Sequence, residues 1–166
     1  MYNKVLGYSW PASDYATYQK AMVAGVNSSN EKITLLNNLI RKFPDSELVP
    51  DANMEIANTY LSDENFQQSV NYLKNVLSAA GNDALKPRAY LRAGIAYYNL
   101  QNNKEALNQY NQLLKLYPNS VEAQEALENA KAIYVAEGRS GEYVNFAKSM
   151  GVSISASQED QLAYQE

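Results

Sequence analysis

Residues 87–120 read PRAYLRAGIAYYNLQNNKEALNQYNQLLKLYPNS, and this stretch decides the fold. Tyr90 and Tyr97 lie about two helical turns apart, with Ala93 and Gly94 between them, because an α-helix has 3.6 residues per turn. Small residues next to aromatic ones let a second helix approach closely. The spacing therefore predicts the first helix of a helical hairpin.

A second helix is predicted directly after the first. Asn102 can cap its start, and Glu105 can reach back to the amide of Asn102, as in a capping box. Pro118 marks its end, because proline has no backbone N–H to donate and its ring clashes with the preceding turn of a helix. Apolar residues recur between these points at helical spacing, at Ala106, Tyr110, Leu113 and Leu114.

This pattern resembles the tetratricopeptide repeat family, whose 34-residue motif runs aromatic, Leu-Gly, Tyr, Ala, aromatic and Pro. Tyr90 stands where the family usually has Trp, and Ala93 stands where it has Leu. The resemblance implies an all-α fold, a right-handed α-solenoid of helical hairpins. We call the first helix of each hairpin helix A and the second helix B.

The hairpin has three relatives in the chain. A shift of 37 residues aligns Val23, Tyr60, Tyr97 and Tyr134; Glu31, Gln68, Glu105 and Glu142; Leu36, Leu73, Tyr110 and Ala147; and Leu39, Val76, Leu113 and Met150. We predict about four hairpins, at residues 13–49, 50–86, 87–120 and 121–151, with partial helices at 1–9 and 158–166. We expect one domain, 1–166, that is a segment of a longer repeat protein; a short natural protein with frayed ends is the alternative.

Polar residues and prolines set the predicted boundaries of the helices. Pro50 favours a helix start, because its missing amide is not needed in the first turn. A break is expected at Trp10-Pro11, a helix end near Gly81, and a loop over 137–141. The predicted caps are Ser28, Asn65, Asn102 and Ser120, with Ser157 opening a last helix three residues before Asp160.

Two positions in the fourth hairpin break the pattern of small residues. Lys131 and Tyr143 stand where the third hairpin has Gly94 and Ala106. Either the two helices splay apart, or the lysine stem lies flat with its amine in water. The first hairpin has Lys20 and Lys32 at these positions, and outer repeats are often atypical.

Composition excludes several classes of function. The chain has 14 Lys plus Arg against 18 Asp plus Glu, so its net charge of -4 gives no reason to expect nucleic acid as a partner. Cysteine and histidine are absent, which removes disulfides, thiolate nucleophiles and the usual transition-metal ligands. No apolar run approaches the roughly 18 residues of a membrane span. We expect no cofactor, no metal and no enzyme activity.

We interpret the repeated tyrosines and a row of three glutamates as structural residues and not as a binding or metal site. We assign Tyr60, Tyr97, Tyr110 and Tyr134 to the space between helices, since they fall at repeat positions. Glu122, Glu125 and Glu128 recur every third residue, so their side chains rotate around the helix. They therefore do not converge on one point where a metal could bind.

The resemblance implies that helix A lines the inner surface of the array and binds a partner peptide. By position, the implied partner-binding residues are Asn58, Ser62, Arg88, Leu91, Arg92, Ile95, Tyr98, Asn99, Glu125 and Glu128. Arg88 and Arg92 are one turn apart and could hold a carboxylate together. The alternative is a solvated face in which both arginines pair with neighbouring carboxylates.

A complete clamp for a terminal carboxylate, as in chaperone-binding members of the family, is not expected. Glu55 stands where that clamp needs Asn, and Thr17 and Ala21 stand where it needs Lys and Asn. We therefore do not predict binding of chaperone tails.

The leading functional hypothesis is a non-enzymatic scaffold that binds a protein or peptide. The links Phe43-Pro44-Asp45-Ser46 and Tyr117-Pro118-Asn119-Ser120 resemble those of bacterial envelope members, such as the periplasmic coordinator of the Tol-Pal system and the outer-membrane assembly lipoprotein. A periplasmic location is favoured on this basis. The alternatives are an oligomerisation module that self-associates through its terminal repeats, or a regulatory or carbohydrate-binding module attached to an enzyme.

Overall fold

The computed structural model describes residues 13–81 and 83–165, which contain nine α-helices and no strand. The predicted partial helix at 1–9 and the Trp10-Pro11 break lie outside these residues. The helices are α1 Asp14–Ala24, α2 Ser29–Lys42, α3 Val49–Ser62, α4 Phe66–Ser78, α5 Lys86–Asn99, α6 Asn103–Leu116, α7 Val121–Ala136, α8 Ser140–Ser149 and α9 Ala156–Gln165. The chain divides between Lys86 and Pro87 into two compact units.

The predicted N-terminal caps of α2, α4, α6 and α7 are confirmed. Ser28 Oγ accepts a hydrogen bond from the amide of Glu31 at 3.1 Å, and Asn102 Oδ1 accepts one from the amide of Glu105 at 3.2 Å. Asn65 and Ser120 cap α4 and α7 in the same way. Each cap satisfies one of the four amides that a helix start leaves without a partner inside the helix.

The reciprocal half of the predicted capping box does not form, because the turn before it already uses the amide. The amide of Asn102 donates to the carbonyl of Tyr97 at 2.9 Å, while Glu105 accepts from Asn108. The same turn recurs with the 37-residue period, as Asn65 to Tyr60 at 2.8 Å and Arg139 to Tyr134 at 2.7 Å. A residue with positive φ precedes each donor, at Glu64, Gln101 and Gly138. The hairpin turn, not the glutamate, therefore satisfies this amide.

Three helix boundaries differ from the prediction. Helix α4 ends at Ser78, before a turn in which Gly81 has φ 77°, instead of near Gly81 itself. Helix α8 begins at Ser140 and not at Glu142, so Gly141 lies inside the helix. Ser140 is buried, so the packed part of the helix begins two residues earlier than predicted.

Helix α9 begins two residues earlier than predicted. Ser155 Oγ accepts from the amide of Gln158 at 3.2 Å, and Gln158 Oε1 accepts from the amide of Ser155 at 2.9 Å. This reciprocal pair is a capping box and fixes the start at Ala156. Ser157 lies within the first turn of α9 and is not its cap.

The first unit packs two hairpins, α1–α2 and α3–α4, with α2 against α3. Tyr60 stacks on Tyr72 with ring centroids 5.7 Å apart. Tyr72 also donates a hydrogen bond from its hydroxyl to Asn37 Oδ1 at 3.1 Å, which ties the B helices of the two hairpins together. The buried centre of this core consists of Ala21, Ile33, Leu36, Leu39, Ala52 and Ile56.

The second unit contains the hairpins α5–α6 and α7–α8, followed by α9. Gly94 of α5 lies directly against the ring of Tyr110 of α6, and a Cβ on Gly94 would fall 2.6 Å from Tyr110 Cζ. Only a residue without a side chain permits this approach. Tyr110 and Tyr134 are buried as predicted, at 2% and 7% exposed, whereas Tyr97 is half-buried at the edge of the same core.

The fourth hairpin stays closed around its large residue. Tyr143 is 4% exposed and packs against Tyr134, with ring centroids 6.3 Å apart. The Lys131 side chain is 37% exposed, and its Nζ lies 3.9 Å from Glu128. Of the two predicted alternatives, the helices do not splay, and the lysine carries its amine to the surface. Helix α9 then covers this hairpin, contacting both α7 and α8 and burying Leu162.

Candidate functional site

A cavity of about 330 Å³ opens in the second unit between α5 and α7. Helix α5 contributes Ile95 and Tyr98, and helix α6 contributes Tyr110. The residues from α7 are Glu125, Asn129, Ala132 and Ile133. We call these seven residues the α5–α7 cavity.

Helical spacing places these side chains on one face of each A helix. Ile95 and Tyr98 are three residues apart, and Glu125, Asn129 and Ala132 follow each other at steps of four and three. Tyr110 belongs to the B helix and reaches the cavity because Gly94 leaves room for its ring. The close contact at Gly94 therefore shapes the cavity as well as the core.

The cavity combines apolar walls with a polar end. The side chains of Ile95, Ala132 and Ile133 line the apolar part. Glu125 is exposed and is the one residue of the seven that is charged at neutral pH. The Tyr98 side chain is 52% exposed, so one of its ring faces is accessible to a ligand.

The Tyr110 hydroxyl stays neutral at physiological pH. The pKa of Tyr110 is raised to about 12, mainly by burial and to a smaller extent by the nearby charge of Glu125. A hydrogen bond with Asn129 opposes this shift but does not cancel it. The hydroxyl is thus a fixed dipole, not a titrating group, at the base of the cavity.

Three of the ten predicted partner-binding residues come together in this cavity, namely Ile95, Tyr98 and Glu125. Arg88 and Asn99 are exposed on the same helix, Arg92 is half-buried, and Leu91 is buried in the core at 7% exposed. Glu128 faces a different cavity of about 250 Å³ that α7 shares with α8 and α9. Asn58, half-buried, and Ser62, exposed, belong to α3 in the first unit.

The positions where a carboxylate clamp would need Asn or Lys have other roles. Ala21 is fully buried. Glu55 forms an ion pair with Lys32 at 2.9 Å, and Thr17 Oγ1 donates to the carbonyl of Ser13 at 3.1 Å. These three residues stabilise the first unit.

The sequence reasoning missed Asn129, Ala132 and Ile133 and assigned Tyr110 to the core alone. The 37-residue shift maps Arg92 onto Asn129 and Ile95 onto Ala132. Two of the missed residues could therefore have been found by applying the shift to every predicted position on α5. The double role of Tyr110 depends on how deeply its ring penetrates, which the repeat pattern does not encode.

A third cavity, of about 460 Å³, lies between α6 and the turn that joins α7 to α8. Arg139 lines it, with its guanidinium 5.0 Å from the centre of the Tyr134 ring and hydrogen-bonded to both Glu137 and Glu142. Hydrogen bonds from Asn103 first and Arg139 second hold the pKa of the Glu137 carboxyl below its usual range, and the hydrogen bond from Arg139 does the same for Glu142. Since these charges satisfy one another, we assign the cluster to holding the turn.

Within residues 13–81 and 83–165, no three acidic side chains converge as a metal site, and no helix has the length and hydropathy of a membrane span.

Residues 88–120 match the tetratricopeptide repeat model. The match covers the third hairpin, on which the sequence argument began. Comparison with curated proteins finds no sequence match.

Solved structures share the fold over nearly the whole chain. A crystal structure of MamA superimposes with a TM-score of 0.69 at 16% identity, covering 98% of this chain and 87% of MamA. A second MamA crystal structure gives 0.68 at 17% identity, covering 99% and 82%. MamA from Desulfovibrio magneticus RS-1 gives 0.63 at 14% identity, covering 90% and 77%. Residues 13–81 and 83–165 thus have an all-helical fold, the helical-repeat fold seen in MamA.

Proposed function

We propose that the chain is a non-enzymatic scaffold that binds a segment of a partner protein on the A-helix surface of its second unit. The observation that carries this proposal is the α5–α7 cavity, where Ile95, Tyr98 and Glu125 meet. An accessible cavity with apolar walls and a few polar groups is the usual form of a binding site. Folds of stacked hairpins commonly bind extended or helical segments along such a surface.

The proposed partner-binding surface extends from the cavity along α5. Arg88 and Asn99 are exposed near the two ends of this helix. Asn58 and Ser62 on α3 are proposed contacts of the first unit. The cavity anchors the partner, and Arg88 and Asn99 contribute polar contacts along the same helix.

A bacterial envelope setting is the finer part of this proposal. It is supported by the links Phe43-Pro44-Asp45-Ser46 and Tyr117-Pro118-Asn119-Ser120, which resemble those of envelope members of the tetratricopeptide repeat family. Fractionation of the native organism tests it. Recovery of the full-length gene product in the periplasm or on the envelope supports the setting, and recovery in the cytosol overturns it.

Site-specific photo-crosslinking tests the binding surface. We expect a benzophenone side chain at Tyr98 to give a discrete adduct with another protein in the native organism. The same group at Gln112, exposed on α6 and outside the cavity, is the matched control and is expected to give none. The same adducts from both positions, or none from Tyr98, would contradict the proposal. An adduct at twice the mass of the chain would favour the oligomerisation alternative.

A further inference from the structure

We propose that the α5–α7 cavity binds a cationic side chain of the partner, from a lysine or an arginine, whose aliphatic stem lies along the apolar wall. This inference rests on the proposed function and adds the chemistry of the residue that the scaffold recognises. Three features of the cavity support it: the charge of Glu125, the exposed aromatic ring of Tyr98 and the volume.

The charge of the cavity is negative and has no counter-ion within the cavity. Glu125 is its charged residue, and none of the ion pairs formed by residues 13–81 and 83–165 includes Glu125. Other glutamates of the molecule do pair, among them Glu55 with Lys32 and Glu142 with Arg139. A carboxylate that is exposed and has no cation paired with it in the cavity attracts a positively charged group of the partner.

The aromatic residues add a second attraction for a positive charge. The face of an aromatic ring carries negative potential, and a lysine or arginine within about 6 Å of it is stabilised. Tyr98 is half exposed at the cavity, so its ring is available for this contact. The Arg139–Tyr134 pair, 5.0 Å apart, shows the same interaction already used in this unit.

The cavity is large enough to hold one long side chain. Its volume of about 330 Å³ is at the lower end of the roughly 300–1,000 Å³ typical of ligand sites. Ile95, Ala132 and Ile133 supply the apolar surface on which a lysine or arginine stem packs while its charged group stays near water. An acidic side chain would meet Glu125 with like charge, and a purely apolar one would leave the Glu125 carboxylate facing hydrocarbon.

Titration of small cations into the complete chain, followed by NMR of isoleucine methyl groups, tests this inference. The probes are N-acetyl-arginine amide, N-acetyl-lysine amide and the neutral isostere N-acetyl-citrulline amide. We expect the two cations to shift the methyl signals of Ile95 and Ile133 and to leave those of Ile56 and Ile154 unchanged. Citrulline is expected to bind at least about fivefold more weakly than arginine, since it keeps the shape and loses the charge.

Two isosteric variants assign the effect to one carboxylate. Glu125→Gln is expected to weaken the binding of arginine amide about fivefold to tenfold. Glu122→Gln is the matched control, because Glu122 lies on the same helix, carries the same charge, is not among the predicted partner-binding residues and lies outside the α5–α7 cavity. It is expected to change binding less than twofold.

The inference is overturned if the cations do not shift Ile95 and Ile133, if citrulline binds as well as arginine, or if both variants lose binding equally. The Tyr98 cross-link is then read separately. If the adduct with a partner persists, the scaffold function stands and only the recognised chemistry is wrong. If the adduct is also absent, both proposals fail.

Discussion

The third and fourth hairpins fill the same interhelical space from different turns. Their equivalent positions, 37 residues apart, hold Gly94, Ala106 and Tyr110 in the third hairpin and Lys131, Tyr143 and Ala147 in the fourth. In the third, the aromatic ring comes from the second turn of helix B and lies against a glycine. In the fourth, the ring comes from the first turn and the alanine takes the later position.

This exchange has a consequence for the surface. Tyr110 reaches past Gly94 and lines the α5–α7 cavity, whereas Ala147 is fully buried and too short to reach a surface. Both arrangements keep the core closed, since Tyr110 and Tyr143 are 2% and 4% exposed. Both hairpins therefore fill the space between their helices. The turn of helix B that carries the aromatic ring decides whether helix B contributes to the binding surface.

The largest effect is expected from removing either buried ring. Tyr110→Ala and Tyr143→Ala should each lower the free energy of unfolding by about 3–5 kcal/mol, the usual cost of truncating a buried aromatic residue. Chemical denaturation measures it. Tyr98→Ala, at an exposed ring, is the control and should change stability by about 0.5 kcal/mol or less. A loss at Tyr143 as small as that at Tyr98 would show that the fourth hairpin is not closed around its ring.

An intermediate effect is expected at the position of closest helix approach. Gly94→Ala should destabilise by about 1–3 kcal/mol, because the new methyl group meets the Tyr110 ring. Alanine's higher helix propensity, worth about 1 kcal/mol, works in the opposite direction. Lys131→Ala, at the equivalent position of the fourth hairpin, should stay within about 0.5 kcal/mol. Equal losses of stability at both positions would contradict the claim that the third hairpin is more tightly packed at Gly94 than the fourth is at Lys131.

The smallest effect is expected at alkaline pH. Burial raises the pKa of Tyr110 from 10.0 to about 12 and also raises the pKa of Tyr143. A phenol whose pKa is higher in the folded state contributes stability below about pH 10 and loses it as the pH rises toward 12. Tyr110→Phe should therefore show a smaller fall in melting temperature between pH 9 and pH 11.5 than the unmodified chain. An equal fall would mean that Tyr110 titrates as an ordinary surface phenol.

Local rules on the sequence predicted most of the helix starts. Ser28 and Asn102 were identified because a cap and its amide partner are three residues apart and need no tertiary contact. The start of α9 was misplaced because two serines, Ser155 and Ser157, each precede a polar residue by three positions. The packing of the preceding segment, where Val152 and Ile154 lie against the core, selects between them.

The candidate site was only partly predictable, for a physical reason. Repeat periodicity places Ile95, Tyr98 and Glu125 on helix A faces, and these three do line the cavity. It also predicts that Gly94 faces a bulky residue. It does not predict how deeply the Tyr110 ring penetrates. That depth is set by the separation of two helix backbones, which depends on tertiary packing and not on spacing along one helix.

The contact between Gly94 and Tyr110 is the feature on which both the closed core and the cavity depend. A double-mutant cycle of Gly94→Ala and Tyr110→Leu measures it most directly, because the second hairpin already combines Ala57 and Leu73 at these positions. We expect Gly94→Ala to cost about 1–3 kcal/mol beside Tyr110 and about 0.5 kcal/mol or less beside leucine, a coupling of about 0.5–3 kcal/mol between the two substitutions. Additive effects of the two substitutions would contradict the account.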